Sequence, residues 1–189
     1  WRDWSSDVCS SDLALRIDPL TGAVEVATDR LSPGWIGAGD GLEPLPRTAD
    51  GWWRSGDGGL LGPAGLAILG RLDGAILSGG ETVFPEQLEQ RLRALAKREG
   101  WPLKELLLLG VPEPGWGERL TALVRPESGA YGEALIRSLE EAVMAWPPAE
   151  RPRRWRLCGP LAPSSTGKWE RSHWQHWLQA REAGQSPGL

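Results

Sequence analysis

The chain has 189 residues and a mass of 20.6 kDa, room for one good-sized domain or two small ones. With 40% hydrophobic and 24% charged residues it has the balance of a folded chain with a core, and its net charge of −4 argues against a nucleic-acid or anionic-membrane partner. No apolar run approaches the roughly 18–20 residues that span a bilayer. Two cysteines, Cys9 and Cys158, and two histidines, His173 and His176, supply neither a disulfide framework nor a zinc spacing, so no metal site is expected. The default compartment is the cytoplasm. Tryptophan is in excess, 12 against one Tyr and one Phe, which reads as a compositional habit rather than a binding surface.

Residues 1–13 do not read as part of a domain. Ser5-Ser6-Asp7 recurs as Ser10-Ser11-Asp12 around Val8 and Cys9, without apolar period and without the basic start and apolar middle of a signal peptide. Asp3 to Leu13 resembles translated adapter DNA joined to a partial gene, and the segment is expected to be non-native. From Ala14 the pattern turns to short strands. Ala14–Ile17 and Ala23–Ala27 flank a Pro/Gly turn, 32–34 and 37–41 are loop material, and Trp52–Arg54 and Leu66–Leu69 read as strands around a Gly-rich 56–65 segment.

After Gly70 helices enter. Pro85 and Glu86 open one, with Leu88, Leu92 and Leu95 on its inner face, the basic residues mostly outward, and Gly100 and Pro102 as its stop. Leu106–Leu109 and Leu120–Val124 are buried strands. A second helix spans about 132–146, Arg154–Leu157 alternates like a half-exposed strand, and Trp169–Ala180 is a short amphipathic helix. The fold class expected is α+β, with a β-rich segment over 14–72, an α+β domain over 73–181 and a tail over 182–189.

Three segments carry polar residues on turn-like backbone. In Arg54-Ser-Gly-Asp57-Gly-Gly59 a carboxylate flanked by glycines can accept hydrogen bonds from two adjacent hydroxyls, such as those of a ribose; alone, it equally reads as a turn aspartate. In Gly70-Arg71-Leu-Asp73-Gly74 through Ser78-Gly79-Gly80-Glu81 to Pro85-Glu86, Arg71 is a fixed cation, and the glycines permit tight turns or close approach of a ligand; a hairpin leading into a helix also explains it. In Pro163-Ser-Ser-Thr-Gly-Lys168 a lysine after Ser/Thr-Gly can deliver a compact charge to a phosphoryl or carboxylate oxygen, or be a solvated surface charge. It is not a Walker A loop, since the leading Gly is missing and Trp169 follows the lysine.

Order and spacing make the three specific. Gly51-Trp-Trp-Arg-Ser-Gly-Asp57, Gly70-Arg-Leu-Asp73 with Ser78-Gly-Gly-Glu81, Gly110-Val-Pro-Glu-Pro-Gly-Trp-Gly-Glu118 and Pro163 to Lys168 together resemble the adenylate-forming acyl-CoA synthetases. The likeness covers about 14–178, and Gly-Arg-Leu-Asp with Ser-Gly-Gly-Glu and the Trp-rich 168–177 ending is most similar to the o-succinylbenzoate–CoA ligase branch of menaquinone and phylloquinone synthesis. The resemblance implies an ATP-dependent acid–CoA ligase with ATP, Mg²⁺ and CoA, in which Asp57 binds the ribose and Arg71 the nucleotide. It also implies that Asp73 is a domain hinge, that Ser78, Gly79 and Gly80 line the CoA channel, and that Lys168 is the adenylation lysine, acting on the same nucleotide as Asp57. Trp35 fits a family aromatic, and Gly74 departs from the commoner charged residue beside the hinge. No phosphate loop or acyl pocket is found, so the chain reads as the C-terminal portion of the enzyme, lacking its N-terminal large domain and inactive alone. Rival readings are another acyl- or aryl-CoA synthetase, a carrier-protein adenylation domain, a catalytically silent binding module, and a nucleic-acid role for Arg151, Arg153, Arg154 and Arg156.

Overall fold

The computed structural model describes residues 13–36, 41–128 and 131–182. The adapter-like reading of 1–13 therefore lies, but for Leu13, outside the described residues, as do most of the 37–41 loop and of the 182–189 tail. The chain divides into two compact units between Asp73 and Gly74, where the sequence reading placed the boundary after Leu72.

In the first unit β1 (Ala14–Ile17), β2 (Ala23–Ala27), β5 (Trp53–Gly62) and β6 (Gly65–Arg71) form an antiparallel sheet in that order. β3 (Gly34–Ile36) and β4 (Leu42–Pro44) pair separately. The strand read over 52–54 is longer than expected: β5 runs on through the Gly-rich segment as far as Gly62. Gly56 has φ +81, the register shifts between Gly58 and Gly59, and a Cβ at Gly59 would lie 2.6 Å from Val24 Cγ2. The glycines make a kink and let β2 pack close, rather than ending the strand.

Glu25 is buried on β2, opposite Arg16 of β1 and Arg54 of β5, and pairs with both guanidinium groups, at 2.7 and 3.0 Å. Arg16 also donates to Asp50 at 2.7 and 3.1 Å and stacks over Trp52 at 4.3 Å. Those bonds and one from Thr48 hold the Asp50 carboxyl down to about 2. A carboxyl depressed in the folded state contributes stability above its ordinary value, and that stability is lost as pH falls through about 2. Arg16→Met should return Asp50 towards the ordinary carboxylate range in an NMR titration; an unmoved Asp50 would refute this account.

The second unit is built on a five-stranded sheet. β9 (Leu103–Glu113) and β10 (Gly117–Pro126) pair antiparallel along their length, β11 (Arg154–Leu157) lies parallel to β10, and β7 (Ile76–Ser78) joins β10 at Gly117 and β8 (Glu81–Val83) beyond it. Helices α1 (Pro85–Glu99) and α2 (Gly132–Val143) cover one face, with Leu88, Leu92, Leu135 and Leu139 against Leu106, Leu108 and Ala122. Helix α3 (Arg171–Glu182) covers the other, with Trp174, Trp177 and Leu178 against Leu107, Leu109 and Leu123. Alternate leucines of the 106–109 run thus serve opposite cores, which is why the run is continuous instead of alternating.

Several details depart from the sequence reading. On α1 the buried stripe is Pro85, Leu88, Glu89, Leu92 and Ala96, with Leu95 only partly buried. Arg93, expected outward, is half-buried and donates to the Leu106 carbonyl and to Glu105. Of the β11 pair, Trp155 is buried but Leu157 is 42% exposed. Helix α1 ends as expected, on Gly100 at φ +67. Arg91 over Trp146 (4.0 Å) and Arg119 over Trp116 (4.1 Å) show what part of the tryptophan excess does: it seats arginines. Burial pushes the Cys158 thiol up to about 11, so it is core filling and not a nucleophile. Among the described residues no helix is long and apolar enough to cross a membrane.

Candidate functional site

The expected site residues fall into one cluster in the first unit and two in the second. In the first, antiparallel pairing of β5 with β6 sets Asp57 directly opposite Arg71. The Arg71 Nη1 lies 3.8 Å from Asp57 Oδ1, while Nε and Nη2 donate to the Asp73 carboxylate at 3.3 and 3.0 Å. These bonds to Asp73, and then the Asp57 charge, raise the Arg71 pKa. Beneath the guanidinium lies Gly56, where a Cβ would sit 3.2 Å from Nη1. Asp57 N–H donates to Ser55 Oγ at 3.1 Å, and the Asp57 side chain remains 35% exposed. A half-exposed carboxylate with one guanidinium at its flank can still accept hydrogen bonds from a neutral diol, and the guanidinium can meet an anion. Asp73 stands just beyond β6, in the 3-10 turn Leu72–Gly74 that carries the chain across the boundary between units.

In the second unit Ser78-Gly79-Gly80-Glu81 is a tight hairpin. Gly79 and Gly80, at φ +59 and +86, connect β7 to β8 with Ser78 opposite Glu81. Two successive positive φ values match the right-handed twist of a two-residue hairpin and favour glycine. Gly79 N–H donates to the Trp116 carbonyl at 2.9 Å, and a Cβ at Gly79 would lie 2.6 Å from the Trp116 ring. Leu77, Gly79, Gly80, Gly115, Trp116 and Gly117 line an open trough of about 520 Å³. Ser78 is fully buried, and its Oγ has no hydrogen-bond partner among the described residues. Gly115-Trp-Gly117 of the Gly110–Glu118 motif therefore belongs beside the Ser78–Gly80 hairpin, a neighbourhood the sequence did not announce.

Lys168 lies on the connection between β11 and α3, exposed, its ammonium without a partner among the described residues. Its backbone is held more firmly. Ser164 N–H donates to the Lys168 carbonyl at 2.8 Å, Gly167 N–H to the Ser164 carbonyl at 2.8 Å, and Lys168 N–H to Ser164 Oγ at 3.3 Å. Gly167 takes φ +78 to close this loop. A long cation free at its tip, on a closed backbone loop, can reach a phosphoryl or carboxylate oxygen.

Other expectations fare differently. Trp35, on β3, is 56% exposed. Of the arginines weighed for nucleic acid, Arg154 pairs with Glu182 at 2.9 Å and Arg151 donates to the Trp146 carbonyl. Among the described residues no group of three or more His, Cys, Asp or Glu is placed to hold a metal ion.

The fold, a β-rich unit followed by an α+β unit, is shared with solved structures of adenylate-forming enzymes. ATP-bound MatB from Rhodopseudomonas palustris superposes with a TM-score of 0.66 at 22% identity, covering 88% of this chain and 34% of that one. Wild-type E. coli MenE, with a bound phenylether-linked analogue of OSB-AMS, gives 0.62 at 24% identity over 89% of this chain and 34% of that one. In sequence the chain is 30% identical over 140 residues to a 4-chlorobenzoate–CoA ligase of Arthrobacter, covering 74% of this chain and 26% of the relative. It is 30% identical over 146 residues to a feruloyl-CoA synthase of Amycolatopsis (76% and 26%), and 29% over 127 residues to a 2-succinylbenzoate–CoA ligase of Enterococcus faecalis (67% and 24%). These homologues are acid–CoA ligases, and the chain spans about a quarter of their length. No family model matches.

Proposed function

We propose that the chain is the C-terminal portion of a cytoplasmic, ATP-dependent acid–CoA ligase, with o-succinylbenzoate as its acid. In the first half-reaction a carboxylate oxygen attacks the α-phosphorus of ATP and pyrophosphate leaves. Lys168 offsets the negative charge gathering on the attacking and α-phosphoryl oxygens, Asp57 accepts hydrogen bonds from the ribose hydroxyls, and Arg71 meets the nucleotide. In the second, the CoA thiol attacks the acyl carbon and AMP leaves, with CoA reaching along the Ser78-Gly79-Gly80 hairpin after rotation at Asp73. The observation that carries this reading is the register of β5 on β6, which sets an accessible carboxylate against a guanidinium. Similarity to acid–CoA ligases over about three quarters of the chain supports the class, and similarity to 2-succinylbenzoate–CoA ligases supports the acid.

The test takes the whole protein that carries this chain and supplies ATP, CoA and, in turn, o-succinylbenzoate, 4-chlorobenzoate and ferulate. Pyrophosphate release and a CoA thioester with the first acid are expected, and none from the 189 residues alone. Thioester with only one of the other acids would correct the substrate. Adenylation without transfer to CoA would favour a carrier-protein adenylation domain, and no pyrophosphate with any acid would refute the ligase reading.

A further inference from the structure

Arg171 is an anomaly as a helix-opening residue. It is the first residue of α3, where the helix dipole disfavours a cation, and no acidic residue of that first turn compensates it. Its side chain instead turns inward, to 21% exposure. Nη1 donates to Glu89 Oε1 of α1 at 3.0 Å and to the Leu108 carbonyl of β9 at 2.7 Å, while Glu86 Oε1 stands 3.6 Å from Nη2. Glu89, its side chain 6% exposed, also accepts the Leu108 N–H at 2.8 Å. Burial pushes its carboxyl above the ordinary carboxylate value, and Arg171 pulls it partly back.

The two side chains and the backbone of Leu108 are thus joined by charge-assisted bonds on the edge of β9 away from β10, while Arg171 Nη2 is buried without a hydrogen-bond partner among the described residues. Covering that edge is one job, shared with Arg93 on the Leu106 carbonyl and Gln175 on that of Gly110. Arg171 alone of these stands three residues from Lys168, a span of roughly 10 Å at most. On the other side of the lysine, Leu161 is fully buried, and Arg125 holds its carbonyl at 3.0 Å. The 161–171 connection is therefore pinned at both ends, and only the Arg171 end depends on a buried ion pair.

We propose that Arg171 and Glu89 are positioning residues for Lys168: their ion pair fixes the backbone from which the lysine reaches the reacting oxygens. This rests on the reading of Lys168 as the adenylation lysine. Because preorganised charge stabilises a transition state only when its placement is fixed in advance, loosening the clamp should slow adenylation, while the thioester step, which does not use the lysine, should be spared.

Two variants separate this from edge protection alone. Arg171→Lys keeps a charge beside Glu89 but removes the guanidinium, whose Nη1 donates to both Glu89 Oε1 and the Leu108 carbonyl and whose Nη2 stands 3.6 Å from Glu86 Oε1. The double variant Arg171→Leu/Glu89→Leu removes both charges together, so that neither is left buried and unpaired. In the whole protein, pyrophosphate release should fall about tenfold in kcat in both variants, with KM for ATP within about twofold and thioester formation from supplied acyl-adenylate unchanged. An equal fall in both half-reactions, or an unchanged adenylation rate, would overturn the proposal. Lys168→Ala is the control: if it leaves adenylation intact, the reading of the lysine fails, and the clamp with it.

Discussion

Lys168→Ala in the whole protein is expected to lower adenylate formation by about a hundred- to a thousandfold, the usual loss when one charge-stabilising donor is removed from a developing oxyanion. The effect arises from charge alone. Two anions, a carboxylate and a polyphosphate, must approach, and the lysine offsets the charge that accumulates between them. Lys168 is exposed, and its ammonium has no partner among the described residues, so truncation breaks no packing and should move stability by less than about 0.5 kcal/mol. Thioester formation from supplied acyl-adenylate should persist, because that step gathers its charge elsewhere. Separate assays of pyrophosphate release and of thioester formation check this. Parallel loss in both, with an unchanged melting temperature, would contradict the role given to the lysine.

The opposite phenotype is expected of Gly79→Val. Gly79 has φ +59, a conformation that costs a β-branched residue about 1–3 kcal/mol, and its new Cβ would stand 2.6 Å from the Trp116 ring. Trp116 is 38% exposed, stacks under Arg119 and lines the trough beside the hairpin, so a shift of its ring would disturb both. The second unit should lose about 2 kcal/mol of stability, measured by denaturant unfolding. Thioester formation should slow at least about tenfold, a barrier increase of about 1.4 kcal/mol, while pyrophosphate release stays within about twofold. A destabilised variant with an undiminished thioester rate would remove the hairpin from the path of the thiol.

Much of the second unit was legible from local chemistry. Pro85 and Gly100 bracket α1 because proline suits a helix's first turn and glycine readily takes the left-handed conformation that ends one, and a four-leucine run between turns fits a strand buried on both faces. The continuation of β5 through 56–62 was not legible because a glycine in a strand and a glycine in a loop look alike. Which it is depends on whether another backbone or side chain, here Val24, comes close enough to need the space. Arg171 and Glu89 escaped notice for a related reason. Each sits in a sequence that reads as an ordinary helix start, although Glu89, next to Leu88 and three residues before Leu92, lies on the face α1 turns inward.

The sequence by itself determined which residue types could accept a diol, carry a fixed cation or turn without a side chain, and their order along the chain. Those are properties of single side chains and of short spans of backbone. Only the tertiary structure decided that Arg71 stands across from Asp57, that Trp116 closes on Gly79, and that a glutamate of α1 grips the arginine beyond Lys168. Such pairings join residues far apart in the chain, and strand register and helix packing, which no local pattern encodes, bring them within a few ångströms.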